Sequence, residues 1–498
     1  MPELNINFHY VLPPLLMALG GCVVLTEGLV LGARKHTLFF VTTLITAAAS
    51  LGASLCLRGE VGAGFSDAVI IDGTVVLLLS LVAICVILGA LVSPAYLNRY
   101  KMKGADYYTL MLFAACGMQV LVSAGDLSTL FIGLETMSVS VYALTGYRIR
   151  QDASTEGAMK YFLLGAFATG FLLYGMAFLY GATGTTNLAE MGLRLGDITE
   201  GSHTALFAML GLGLLLVGMA FKVGAFPFHM WVPDAYQGAP TPVTAFMSVA
   251  VKAAAFGILL RTLSVALFPL AYLWQPLISW LAVGTMLAGN VLALRQDNVK
   301  RMLAYSSVSH AGYLLLGVAA SGTLPTEAGA AVIHYLMVYA FMNVGAFAVL
   351  LSLSREGYER TRYSDLTGLS QERPLIAAVL AFFMIALAGI PPTGGFTAKF
   401  YLFAAAIKSG LAGPAILGIL SSVIGVVYYL RVVVVSYMNP RDESAPIPAV
   451  APRGIALSAV IVIALLVTLE MGLNLLPGLG WFIPGYLEEF SHAIAAAF

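Results

Sequence analysis

The stretch Ala220–Met247, AFKVGAFPFHMWVPDAYQGAPTPVTAFM, decides how the rest of the chain is read. Lys222 closes a long apolar run, and Gly224 and Pro227 follow it directly. An ammonium deep in an apolar segment is costly unless it faces protein or water, which marks it as a candidate functional group. Proline removes a backbone donor and clashes with the preceding turn, so a helix should break at Pro227. A lysine beside a broken membrane helix places a titratable group next to polar backbone inside a bilayer, the arrangement of ion-translocating proteins. The expectation is a protein that moves protons, with further intramembrane charges forming a chain with Lys222.

Composition supports a membrane setting. Of the 498 residues, 60% are hydrophobic and 10% charged, against about 25% charged in soluble domains. Apolar runs of roughly 20 residues, long enough to span, recur from end to end. The expected fold class is an all-α polytopic membrane protein. The formal net charge is zero, so no basic surface for nucleic acid is expected. Cys22, Cys56, Cys85 and Cys116 stand singly, without a CxxC pair, and read as packing residues rather than metal ligands. Leu210–Gly218, LGLGLLLVG, lies inside an apolar helix with no strand before it and is rejected as a phosphate loop. No cofactor or metal is expected in this chain, and any redox chemistry should reside elsewhere. The N-terminal MPELNINFHYVLPP is not basic and leads into a full-length span, so no cleavable signal peptide is read there.

Hydropathy predicts about 14 helices, over 10–31, 38–57, 72–95, 107–125, 127–147, 156–181, 205–232, 240–262, 272–294, 301–320, 325–354, 373–408, 410–438 and 454–476. Arg34, Lys35, Arg99, Lys101, Lys103, Arg148, Arg150, Arg295, Lys300, Arg301, Arg355, Arg360, Arg362, Arg373, Arg441 and Arg453 then fall in alternate loops. Only Arg58, Arg194, Arg261 and Lys408 fall in the opposite ones. By the positive-inside rule the richer side is cytoplasmic, which puts both termini outside. The loop 233–239 carries no basic residue and does not vote. Lys160, Lys222, Lys252, Lys399 and Arg431 remain within apolar runs, with Glu27 and Glu135. Arg431 and Glu27 lie near helix ends, where snorkelling accounts for them.

A second interrupted segment echoes the first. In Met384–Phe403, MIALAGIPPTGGFTAKFYLF, Pro391 and Pro392 are expected to stop a helix, Gly394 and Gly395 to relax the backbone, and Lys399 to sit in the resumed helix. The two breaks lie five helices apart. An odd number of spans per unit forces two units into opposite orientation, the inverted-repeat architecture of many transporters. The expected division is 1–106 for helices 1–3, 107–262 for the first repeat (helices 4–8), 263–438 for the second (helices 9–13), and 439–498 for helix 14 and a short tail.

The segments Gly133–Tyr147, Gly157–Gly175, Lys222–Phe256, Arg301–Gly317 and Gly389–Phe403 resemble the antiporter-like membrane subunits of respiratory complex I, the bacterial proton-pumping NADH–quinone oxidoreductase. The resemblance covers essentially the whole chain and is most specific around Lys160, Lys222 and Lys252. It implies 14 helices with inverted five-helix repeats. It also implies a role in coupling NADH–quinone electron transfer, carried out in other subunits, to proton pumping. By motif, Glu135 and Lys222 match the family's helix 5 glutamate and helix 7 lysine. Lys160, Lys252 and Lys399 match its lysines on helices 6, 8 and 12, and His310 and His334 fall where it places polar connectors. The implied partners are other complex I membrane subunits, with the chain flanked by subunits K and M, and the peripheral redox arm only indirectly. A multi-subunit cation/proton antiporter is the competing membership, because it shares the fold and the lysines.

A lysine out of water loses stabilisation of its charged form and can then exchange a proton near neutral pH. A carboxylate beside it restores the charge. At an effective dielectric of ~20, a pair at ~4 Å gains about 4 kcal/mol. Glu135 beside Lys222 is therefore expected to act as a switch. The expected route runs from Lys222 to Lys252, through waters and histidines to Lys399, and outward. Lys160, near the start of helix 6, either feeds the first site or snorkels. His310 and His334 are either relays or satisfied core histidines. His229 is expected to cap loop carbonyls or sit at the interface, and Trp231 to anchor there.

Overall fold

The computed structural model describes residues 7–32, 36–199, 201–354, 359–440 and 454–473. It is built of helices: α1 (Leu12–Leu31), α2 (His36–Cys56), α3 (Gly73–Arg99), α4 (Ala105–Val122), α5 (Leu127–Thr145), α6 (Asp152–Thr183), α7 (Leu188–Gly196), α8 (His203–Val223) and α9 (Trp231–Gly238). After these come α10 (Thr241–Arg261), α11 (Ala271–Leu294), α12 (Val299–Ala320), α13 (Pro325–Leu353), α14 (Leu369–Glu372), α15 (Pro374–Ala388), α16 (Gly394–Lys408), α17 (Ala412–Tyr437) and α18 (Ile455–Leu473). Among the described residues, 13 helices are long and apolar enough to cross a membrane, and α15 is a shorter apolar one. Taken as one interrupted crossing, α15 and α16 add one to those 13, fourteen in all, as the hydropathy predicts. The expected tail beyond helix 14 lies outside the described residues.

Three features differ from the sequence reading. The helix expected over 205–232 stops at Val223, and the loop expected over 233–239 is the short helix α9. The helix expected from 156 begins at Asp152, so Lys160 lies two turns inside it rather than one. A hairpin of β1 (Gly62–Gly64) and β2 (Val69–Ile71), and the amphipathic helix α7, occupy connections that hydropathy left blank. Elements this short bury too little apolar surface to leave a span-length signal.

The helices are ordered by burial. Every residue of α10 is buried, which makes it the axis of the bundle. It packs against α3, α4, α12 and α13. In contrast α1, α2, α6 and α18 leave broad apolar faces exposed, as lipid-facing or partner-facing helices do. Small residues set the closest crossings, because dispersion contact has to hold helices together where the surroundings are also apolar. A Cβ on Gly117 of α4 would strike the α5 backbone, and one on Gly289 of α11 the α12 backbone at Ser309.

Both interruptions are built alike. Gly224 adopts φ +75°, its N–H bonds Phe221 O at 3.1 Å and the Ala225 N–H bonds Ala220 O at 2.8 Å. Gly389 adopts φ +81°, with its N–H on Ala386 O at 3.0 Å and the Ile390 N–H on Ile385 O at 3.2 Å. Each is a Schellman closure, which requires a left-handed residue that glycine supplies without steric cost. The glycines therefore end the helices. Pro227, Pro391 and Pro392 lie two or three residues beyond, in turns that contain cis Phe226–Pro227 and Pro391–Pro392 bonds. Gly394 and Gly395 do not relax the backbone. They open α16, where a Cβ on Gly395 would overlap the Ala386 carbonyl and one on Gly394 would press on Thr468 O of α18.

Candidate functional site

Lys222 sits in the last turn of α8 and is 2% exposed. Its Nζ donates to Ser138 Oγ at 2.7 Å and to Tyr142 OH at 3.1 Å. Both acceptors belong to α5, three and seven residues after Glu135, and so share a helix face with it. Glu135 itself is half-buried and turns toward α6, where Thr169 donates to its Oε1 at 2.8 Å. The contact pair expected between Glu135 and Lys222 is not formed. Ser138 and Tyr142 hold the ammonium instead, because Lys222 reaches α5 one to two turns beyond the carboxylate.

Lys399 is 7% exposed, on α16. Its Nζ reaches back across the interruption to donate to Ala388 O at 2.8 Å, the last residue of α15, and lies 4.9 Å above the Tyr313 ring. A helix C-terminus carries about half a negative charge and orphaned carbonyls, so an ammonium there is stabilised twice over. Lys222 precedes its break and Lys399 follows its own. The two interruptions match, but the lysines occupy different places in them.

Lys252 stands midway along α10, 4% exposed. Its Nζ donates to the Ser307 carbonyl of α12 and lies 5.6 Å from the Tyr339 ring centre. His310, one turn further along α12, pairs through Nδ1 with Tyr335 OH at 2.5 Å and through Nε2 with Tyr429 OH at 3.1 Å. Tyr429 OH pairs in turn with Ser306 Oγ. The His310 ring packs edge-on against Tyr313, centroids 5.7 Å apart, and Tyr313 is the ring beneath Lys399. Lys252, His310, Tyr313 and Lys399 thus form one continuous polar and aromatic row through the middles of α10, α12 and α16. No hydrogen bond among the described residues bridges Lys222 to Lys252.

His334 lies apart from that row. Its Nε2 meets Thr397 Oγ1 at 3.3 Å, and its Nδ1 makes no hydrogen bond. It lines a cavity of about 810 Å³ between α3, α13, α16 and α18, whose polar lining includes Ser80, Thr397, Tyr401 and Glu470. Glu327 and Lys408, ion-paired at 2.8 Å, also line it.

Lys160 is not gathered with Lys222 either. Its side chain is 44% exposed and pairs with Asp234 of α9 at 2.8 Å and Glu156 at 2.6 Å. Arg301 joins the same Asp234 at 2.6 Å. Burial raises the Asp234 carboxyl, but Lys160 and Arg301 outweigh it and hold the group below its ordinary value. Trp231 is buried rather than interfacial. It stacks on Tyr161 at 3.9 Å, planes 1° apart, and its indole donates to Phe221 O at 3.1 Å, filling one carbonyl at the end of α8. His229 is buried; its Nδ1 makes no hydrogen bond, but the ring bonds the Pro227 backbone carbonyl, the loop-capping role expected of it.

A second charged cluster escaped the sequence reading. Glu359 accepts from Arg148 at 2.8 Å, Thr241 at 2.8 Å and Tyr96, with Lys300 at 3.4 Å. Burial pushes its carboxyl up, but Lys300, the two hydroxyls and Arg148 hold it below the ordinary 4.5. These residues come from five separate connections or helix ends, so no local spacing marks them. Ser138 and Tyr142, in contrast, were visible as i+3 and i+7 from Glu135.

Comparison with known proteins bears on this arrangement. Residues 124–425 match the family model described as NADH:quinone oxidoreductase/Mrp antiporter, TM. The chain is 42% identical to the NADH-quinone oxidoreductase subunit N of Trichlorobacter lovleyi over 88% of its length and 89% of that protein. It is 39% identical to NADH-quinone oxidoreductase subunit N 1 of Solibacter usitatus over 97% and 96%. Among solved structures, a chain of respiratory complex I from Thermus thermophilus with bound aureothin superposes with a TM-score of 0.78 at 33% identity, covering 94% of this chain and 98% of that one. A chain of the Mrp complex from Dietzia sp. shares the fold, with a TM-score of 0.81 at 23% identity over 98% and 99%.

Proposed function

The chain belongs to the family of membrane subunits shared by NADH:quinone oxidoreductases and Mrp antiporters, and we propose that it is the subunit N-type, proton-translocating membrane component of an NADH–quinone oxidoreductase. The observation that carries this reading is the set of buried lysines at Lys222, Lys252 and Lys399. Each is held by neutral hydroxyls or carbonyls rather than by a carboxylate in contact. A buried lysine bound only to neutral acceptors can exist as amine or ammonium, and that choice is what a proton carrier needs.

The proton route passes from Lys222 to Lys252, through His310 and its tyrosines to Lys399, and outward by the cavity beside His334. Water bridges the gap between Lys222 and Lys252. Glu135 acts on Lys222 through space, with Ser138 between them. Lys160 fastens α9 through Asp234 rather than carrying protons. The Glu135-bearing face of α5 and α6 exposes Ile132, Val139 and Phe167, which suits a neighbouring membrane subunit. We place the chain in a bacterial inner membrane between subunits K and M, with its basic face cytoplasmic and both termini outside. The chain itself binds no cofactor, the redox centres belong to other subunits, and the redox arm is contacted only indirectly. Residues 107–262 and 263–438 form the inverted repeats.

In the assembled complex, Lys252→Ala should leave NADH oxidation measurable while proton uptake into proteoliposomes falls. Unchanged pumping would remove the basis of the proposal. Should sodium-transport subunits co-purify in place of flavin and iron–sulfur subunits, the antiporter reading replaces this one.

A further inference from the structure

Lys300 is buried to 1% exposure, yet it belongs neither to the Lys222 site nor to the row from Lys252 to Lys399. It is the second residue of α12, on the basic face. Its Nζ donates to Ala239 O at 2.5 Å and faces Glu359 at 3.4 Å. Glu359 also holds Thr241 Oγ1 at 2.8 Å, and Thr241 opens α10.

From Thr241 a polar stripe runs up α10. Thr241, Thr244, Ser248 and Lys252 stand at i, i+3, i+7 and i+11, which places them within an arc of about 80° on one face over about 17 Å. Facing elements supply matching groups. Asn343 of α13 donates to Ser248 Oγ at 2.6 Å. Ser307 of α12 accepts Lys252 on its carbonyl, while its hydroxyl lies 3.4 Å from Tyr236 OH. Asn343 Oδ1 of α13 is buried and makes no hydrogen bond within the protein. A buried polar atom left unpaired is costly, so it persists where water completes it. The stripe is one-sided. Beyond Lys252, α10 reads AAAFGILL from Ala253 to Leu260, with no polar side chain.

We infer that protons reach Lys252 directly from the cytoplasmic face along this stripe, with Lys300 as the first carrier and Glu359 as the residue that positions it at the inlet. This rests on the proposed function and adds to it a separate supply for the central lysine, independent of Lys222. Each transfer exchanges one N–H or O–H bond for another. Lys252, as amine, gains a proton from the adjoining water or hydroxyl. The chain of hydroxyls and waters shifts by one proton. Lys300 releases one inward and regains one from cytoplasmic water, and no electrons move.

Two variants test this in the intact complex reconstituted into proteoliposomes. Lys300→Arg keeps a cation for Glu359 and Ala239 but cannot release its proton. The double change Thr244→Val with Ser248→Ala removes the hydroxyls while leaving every charge in place. Both should assemble and oxidise NADH with a loss of protons moved per NADH. Wild-type proton yield in Lys300→Arg would show that Lys300 serves only as an ion-pair partner and would overturn the inference. If Lys300→Arg fails to assemble, the double variant decides, and wild-type yield there overturns it equally. Lys252→Ala separates the two levels: normal pumping in it sinks the row itself. Loss in Lys252→Ala alone, with both stripe variants normal, sinks only the inlet.

Discussion

Replacing Gly389 by alanine alters no titratable group, yet it should disable Lys399. Gly389 has φ +81°, and a Cβ there would lie 2.7 Å from Lys399 Cδ and 3.1 Å from its Nζ. Forcing an L-residue into the left-handed region costs about 1–2 kcal/mol. The added methyl also occupies the space through which Nζ reaches Ala388 O, and losing a charged hydrogen bond costs about 1.5–3 kcal/mol. Together the change amounts to roughly 2.5–5 kcal/mol of local destabilisation, with the ammonium displaced from the end of α15. Gly410→Ala is the matched control. Its φ is +84° and nothing lies within 4 Å of its added Cβ, so it should cost only the backbone share, about 1–2 kcal/mol. The assay is NADH-driven proton uptake by vesicles, normalised to assembled complex on native gels, with thermal unfolding measured in parallel. Gly389→Ala should pump poorly and Gly410→Ala normally. Equal pumping by the two would refute the argument that Lys399 works only when seated on the Ala388 carbonyl.

Tyr142→Phe takes one of two acceptors from Lys222 and should lower both proton yield and thermal stability, the latter by about 1.5–3 kcal/mol; an unchanged yield would leave Ser138 as the sole functional partner. Lys160→Ala removes a half-exposed ion pair worth ~0–1 kcal/mol after solvent screening, so proton yield per complex should stay near wild type. Glu359 has a folded-state pKa below its unfolded value, so its stabilisation is complete above the unfolded value of 4.5 and is lost as pH falls through the lower folded value. Glu359→Gln should therefore weaken the complex at neutral pH by about 3 kcal/mol, since it strands Arg148 and Lys300, and should flatten the acid limb of a stability–pH profile; a profile that keeps its acid limb would contradict the assignment.

The sequence by itself determined the fold class, the number of crossings and the identity of the costly groups. Each is a consequence of local composition. A run of about 20 apolar residues can satisfy its backbone in a membrane only as a helix. A lysine at Lys222, Lys252 or Lys399 stands out because such a run has no cheap place for charge. The breaks were located, but their cause was misassigned to Pro227, Pro391 and Pro392. Gly224 and Gly389 end the helices, because a left-handed closure needs freedom of φ, which hydropathy does not register. What only the tertiary structure decided is who meets whom. Glu135 turns to Thr169, Lys399 reaches back to the helix before its own, Lys160 joins Asp234, and Glu359 gathers partners spread from Tyr96 to Lys300. These pairings depend on helix rotation and crossing, which are set by close contacts such as Gly117 against α5 and Gly289 against α12. A rotation of one residue, 100° on a helix, changes every partner while leaving the hydrophobic pattern almost untouched.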